Sequence, residues 1–120
     1  MSDAPTALVF GASGYVGGSL VPELQAHGYS VRAAARNLAS LDRRGWSGVD
    51  CVAADALEYD TLGPALAGVD VAYYLADSPV AGKAFGAVDL ACASNFARAA
   101  SEAGLKRIVY LGGLATDEAE

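Results

Sequence analysis

Short apolar runs alternate along this chain with longer stretches in which apolar residues recur every third or fourth position. The runs Ala7–Phe10, Ser30–Ala35, Val49–Ala54, Val69–Leu75 and Arg107–Leu111 predict strands. Within Val69–Leu75, Val71, Tyr73 and Leu75 share one face, and Ala72 and Tyr74 share the other. Helices are predicted over 15–27, 38–44, 59–67 and 84–103, with 77–83 as a loop. Val16, Leu20 and Leu24 set the apolar stripe of the first helix, and Phe85, Val88, Cys92, Phe96 and Ala99 that of the longest. Pro22 removes a hydrogen bond to Gly18 and predicts a local distortion of the first helix rather than its end. Asn37 suits the start of the second helix, and Gly63-Pro64 weakens the middle of the third. Gly28, Gly48, Gly68 and Gly104 each stand a few residues before an apolar strand. Such alternation predicts a parallel sheet covered on both faces and built by right-handed crossovers, with strand order 3-2-1-4-5. A ligand then sits at the carboxyl ends of the strands, where the order reverses between strands 1 and 4.

The joint between the first strand and helix reads Gly11-Ala12-Ser13-Gly14-Tyr15-Val16-Gly17. Gly11 permits a tight turn, and Gly14 carries no Cβ to hold a pyrophosphate off the backbone. Gly17 lets the helix lie close to the sheet. The first N–H groups of the helix, at Tyr15 and Val16, have no intrahelical partner and can point at an anion. Ser13 adds a hydroxyl. The spacing is G-x-x-G-x-x-G rather than G-x-G-x-x-G, and a glycine turn that merely joins strand to helix is the competing reading. No Gly-Lys-Ser/Thr follows, which excludes a P-loop. The expected fold is α/β, a Rossmann-like doubly wound parallel sheet of five strands.

The end of the second strand decides which dinucleotide fits. It reads Ala33-Ala34-Ala35-Arg36-Asn37, without the carboxylate that bonds the ribose hydroxyls of NAD. Arg36 stands where a guanidinium can pair with the 2′-phosphate of NADP, and Arg32, Arg43 and Arg44 lie near it in sequence. NADP is therefore expected over NAD. Asp55, at the end of the third strand, either bonds the adenine or caps the following turn. His27 suits the negative end of a helix dipole, and Tyr73 and Tyr74 belong to the core rather than to chemistry.

Composition narrows this further. The 120 residues hold one domain at most, spanning 1–120, and their net charge of −6 opposes non-specific nucleic-acid binding. Cys51 and Cys92 form no C-x-x-C and are expected as buried, unbridged thiols in a reducing compartment, with no metal site. The start, Met1 to Thr6, lacks the basic and apolar segments of a signal peptide, and no apolar run is long enough to span a bilayer. A cytoplasmic location follows as an expectation.

The glycine turn, the run Val31–Arg36, Asp55, Gly68–Leu75, Asn95-Phe96 and Arg107–Leu114 together resemble the atypical short-chain dehydrogenase/reductase superfamily, in particular its NAD(P)H-binding, NmrA-like branch. The resemblance covers nearly the whole chain. It implies a pyrophosphate turn at Gly11, Gly14 and Gly17, a 2′-phosphate contact at Arg36 and an adenine contact at Asp55. It also implies passage of the Leu75 and Ala76 backbone near the adenine ribose. Active members of the superfamily use a Tyr-x-x-x-Lys pair and a serine near the end of the fifth strand. No tyrosine here has a lysine four residues later, and Gly112-Gly113 occupies the serine region, so no catalytic residue is assigned. The chain is expected to correspond to the cofactor-binding part of a longer family fold. Its fifth strand would then form an apolar edge open to a second copy or a partner chain. Three functions remain: an NADP-binding part of an oxidoreductase, a non-catalytic dinucleotide sensor acting through a protein partner, or a reductase that works as an assembled oligomer or with another chain, against which the missing Tyr-x-x-x-Lys pair weighs.

Overall fold

The computed structural model describes residues 4–75 and 87–111. In chain order the elements are β1 (Thr6–Phe10), α1 (Tyr15–Ala26), β2 (Ser30–Ala35), α2 (Leu38–Asp42), β3 (Asp50–Ala53), α3 (Leu62–Leu66), β4 (Val71–Leu75), α4 (Ala87–Ala103) and β5 (Arg107–Leu111). Every described strand pair is parallel, in the order β3-β2-β1-β4-β5, as the alternation predicted. Phe10, the last residue of β1, lies opposite Ala34 of β2 and Tyr74 of β4. The order therefore reverses between β1 and β4, and the crevice at their carboxyl ends is the ligand position that such sheets favour.

Both faces of the sheet are covered, which is why its central strands are apolar throughout rather than alternating. Leu8, Phe10, Ala72 and Tyr74 project to one side and pack with Leu62, Leu66, Phe96 and Ala100. Ala7, Val9, Val31 and Ala33 project to the other and pack with Val21, Leu24 and Leu41. Phe96 is fully buried, its ring 4.9 Å from that of Phe10 and 4.8 Å from that of Tyr74. Burying a side chain of this kind contributes about 2–3 kcal/mol.

Helix ends follow local chemistry. The Asn37 side chain accepts a hydrogen bond from the Ala39 N–H at 2.9 Å, capping α2 as expected. Gly28 ends α1 with φ +91°; its N–H reaches Gln25 O and the Tyr29 N–H reaches Leu24 O, a Schellman arrangement. α1 runs through Pro22 without ending.

Several expectations need correction. The helix over 59–67 is a 3-10 turn at Tyr59–Thr61 followed by the five-residue α3. Pro64 is the third residue of α3, where its missing N–H would have had no partner. α2 stops at Asp42 rather than Arg44, β3 is confined to Asp50–Ala53, and β4 begins at Val71. The buried side of α1 is Gly17, Val21 and Leu24, whereas Val16 is 51% exposed. In α4 the buried residues include Phe96, Ala99 and Ala100, and Val88 is exposed. Cys51 and Cys92 form no disulfide, but they are half-buried rather than buried. The loop expected over 77–83, the start of the longest helix at 84–86 and Gly112-Gly113 lie outside the described residues.

Candidate functional site

The carboxyl end of β1 turns sharply into α1. The N–H groups of Gly11 and Ala12 both donate to Ala34 O, at 2.8 and 3.0 Å, which fastens the turn to β2. Gly11 has φ +90°, and a Cβ there would lie 2.8 Å from the carbonyl oxygen of Leu75. Only glycine fits. Gly17 serves a different contact: a Cβ on it would come within 2.5–2.7 Å of the Ala12 backbone. Its absence brings α1 down onto the turn.

Gly14 differs from both. Its backbone is extended (φ −83°, ψ −177°), and among the described residues a Cβ built on it meets only Gly11 O, at 3.9 Å. Among those residues the space above Gly14 is therefore open, with room for a side chain. Gly14 is also the N-cap residue of α1, with no side chain to accept from the first helical N–H groups and no acidic residue in the first turn. The positive end of the helix dipole is left exposed to whatever fills that space. Ser13 is half-buried beside it; Tyr15 is 89% exposed.

The four arginines separate. Arg36 is exposed immediately after β2, at the carboxyl end of the sheet, where β1 also turns into the glycine loop. Arg43 is exposed at the end of α2. Arg32 is committed elsewhere: its Nε donates to Asp50 Oδ2 at 3.1 Å and its Nη1 to Ala65 O and Ala67 O at 2.7 and 2.8 Å. Arg44 folds back onto the turn, where its Nη2 donates to Ser13 O at 2.7 Å and Gly14 O at 2.9 Å.

Asp55 follows β3 and caps the turn behind it, with its Oδ1 accepting from the Leu57 N–H at 2.9 Å. The Asp55 N–H donates to the Thr61 hydroxyl oxygen at 2.9 Å. Among the described residues Oδ2 has no such partner, so capping leaves one carboxylate oxygen to spare. Leu75 is buried at the end of β4 against Gly11. Ala76 lies outside the described residues.

The sequence profile of the NmrA-like family matches residues 3–119. The chain belongs to the NmrA-like family. A triphenylmethane reductase of Citrobacter sp. superposes with a TM-score of 0.79 at 24% identity, covering 94% of this chain and 39% of the reductase. The same reductase complexed with NADP(H) gives 0.74 at 26% identity, covering 88% and 36%. An NADPH-dependent quinone oxidoreductase of Escherichia coli, complexed with NADPH, gives 0.74 at 26% identity over 92% and 38%. This chain thus spans about two fifths of the length of these solved structures. The search of curated sequences finds no match.

Gly18 and Arg44 meet at the glycine turn, a contact that the sequence pattern does not announce. Gly18 has a packing role, since a Cβ on it would lie 2.5 Å from Arg44 Nη1. Arg44, expected near the 2′-phosphate, has main-chain carbonyls as its partners, which no side-chain pattern announces. Asn95 also acts on backbone, donating from Nδ2 to Ala56 O at 2.8 Å next to Asp55.

Other candidate chemistry lies apart from the turn. His27 is exposed at the end of α1, with its Nδ1 3.0 Å from Glu23 O. Tyr59 bonds Glu102, under the Arg98 guanidinium 4.6 Å from its ring centroid, and lines an open cleft between α3 and α4. The hydrogen bond to Glu102 raises the Tyr59 pKa, and desolvation adds to the shift. No polar or charged residue is buried among the described residues. No group of three or more His, Cys, Asp or Glu among them is arranged to hold a metal ion, and no helix among them is long and apolar enough to cross a membrane.

Proposed function

We propose that this chain is a single domain, residues 1–120, forming the NADP(H)-binding part of an oxidoreductase-like protein and not catalytically competent on its own. The observation that carries the proposal is the open space above Gly14, bounded by an uncapped helix start at the point where the strand order reverses. In this reading the pyrophosphate lies against Gly11, Gly14 and Gly17 and takes hydrogen bonds from the Tyr15 and Val16 N–H groups and the Ser13 hydroxyl. Asp55 Oδ2 accepts from the adenine, and Leu75 and Ala76 flank the adenine ribose. Arg36 pairs with the 2′-phosphate, which favours NADP over NAD because β2 ends without a carboxylate. The NADP(H) complexes of the Citrobacter reductase and the Escherichia coli oxidoreductase support this choice.

Calorimetric titration with NADP(H) and NAD(H) tests it. Micromolar binding of NADP is expected, with Arg36→Ala weakening NADP about tenfold and NAD by less than about twofold. A folded sample that binds neither would reduce the glycine turn to architecture. A second reading, a non-catalytic dinucleotide sensor acting through a protein partner, is favoured by Gly112-Gly113 in the serine region. Different affinities for oxidised and reduced cofactor, without turnover, would select it. The partner surface in that case is β5, which ends the described sheet and carries the half-exposed Tyr110. A strictly monomeric sample in sedimentation, alone and with cofactor, would remove the homo-oligomer.

A further inference from the structure

We propose that Arg44 and Gly18 form a clamp on the glycine turn, making Arg44 a positioning residue for dinucleotide binding rather than a reader of the 2′-phosphate. The inference rests on the dinucleotide reading of the turn. Arg44 Nη2 reaches the carbonyl oxygens of Ser13 and Gly14 at 2.7 and 2.9 Å, and these are two consecutive peptide units. No described peptide bond is cis, and in a planar trans unit the N–H points opposite to the C=O. Holding the Ser13 carbonyl therefore fixes the peptide unit whose Gly14 N–H turns back to Gly11 O at 3.4 Å, and holding the Gly14 carbonyl aims the Tyr15 N–H away from the guanidinium. The Tyr15 N–H is the donor so placed at the mouth of the open space.

Gly18 makes room for the clamp. A Cβ there would stand 2.5 Å from Arg44 Nη1 and 3.0 Å from Cζ, so any side chain displaces the guanidinium. Trp46 supports it from another side, with its ring centroid 5.9 Å from Cζ. The same arrangement ties the segment after β2, which begins with Arg36, to the turn after β1. The guanidinium also adds positive charge beside the helix start. Its hydrogen bonds are charge-assisted and end on neutral acceptors, so they leave no anion to compete with a pyrophosphate.

The test compares Arg44→Ala, Gly18→Ala and the double variant by calorimetry with NADP and NAD, alongside thermal unfolding. Each single variant is expected to weaken NADP and NAD alike by about tenfold, leaving their ratio unchanged, because the pyrophosphate is common to both. The double variant is expected to be no weaker than either single one, since both remove the same contact. Gly18→Ala places a better helix former in α1, so affinity falls without a fall in melting temperature, which a merely structural role would not produce. It also keeps the proposal testable if Arg44→Ala folds poorly. Loss confined to NADP would make Arg44 a direct phosphate reader and overturn the clamp; unchanged affinity or additive losses would overturn it as well. Failure of the dinucleotide reading looks different: the unsubstituted chain then binds neither cofactor, and the clamp falls with it.

Discussion

The two ends of the sheet treat their polar groups in opposite ways. At the amino end they are closed on one another. Thr6 N–H donates to Asp70 Oδ2 and Asp70 N–H to Thr6 O, both at 2.9 Å, and Lys106 Nζ stands 3.6 Å from Asp70 Oδ1. Arg32 occupies the last carbonyls of α3 and the Asp50 carboxylate. At the carboxyl end the start of α1 has no capping side chain, and Arg44 beside it bonds carbonyls rather than an acid. One end is finished as structure; the other keeps donors in reserve. Stability and binding should therefore be separable by substitution.

Two glycines three positions apart in the turn give the sharpest separation. Gly14→Val places its side chain in open space, on a backbone conformation that valine accepts. It should reduce NADP affinity more than about a hundredfold, through steric exclusion of the pyrophosphate, with little change in melting temperature. Gly17→Val drives a Cβ into the Ala12 backbone and should destabilise the fold by about 3 kcal/mol or more. Thermal unfolding beside calorimetry distinguishes them. Comparable destabilisation by both would mean that the space above Gly14 is structural.

Arg32→Ala probes the finished end. It strips a charged donor from Ala65 O and Ala67 O and leaves Asp50 without its partner. The expected loss is about 1–3 kcal/mol in urea unfolding, with NADP affinity within about twofold of the unsubstituted chain. A tenfold or greater loss of NADP affinity, in a sample still folded, would restore Arg32 to the cofactor site.

This division explains what could be read from the sequence. Strand order and the glycine turn were legible because apolar runs and glycines are side-chain signals tied to backbone geometry. The stripe of α1 was not legible for a related reason: Gly17 packs on the Ala12 backbone but has no hydrophobicity to count, whereas Val16 does and is exposed. Arg32 and Arg44 look alike in the chain, and only the carbonyls they meet tell them apart. Those carbonyls belong to α3 in one case and to the glycine turn in the other, and neither carries any mark in the sequence. The helix expected over 59–67 divides before Leu62, so that Pro64 falls in the first turn of α3, and periodicity alone does not place that division.

The smallest predicted effect asks whether the two ends are independent. Cys51, the second residue of β3, has its thiol pKa raised, first by burial and then by the charges of Asp42 and Asp50. The thiolate is the reactive form, so alkylation of Cys51 at pH 8 should be slower in the native chain than in urea. It should accelerate as pH rises past the ordinary thiol range. Asp50→Asn removes one of the raising charges and should speed the reaction by about twofold, read by peptide mass spectrometry. Saturating NADP should leave the rate unchanged, because the dinucleotide reading puts the ligand at the far end of the strands. Protection of Cys51 by NADP would show that occupancy of the glycine turn tightens the whole sheet, and the separation of structure from binding would then hold only for the free chain.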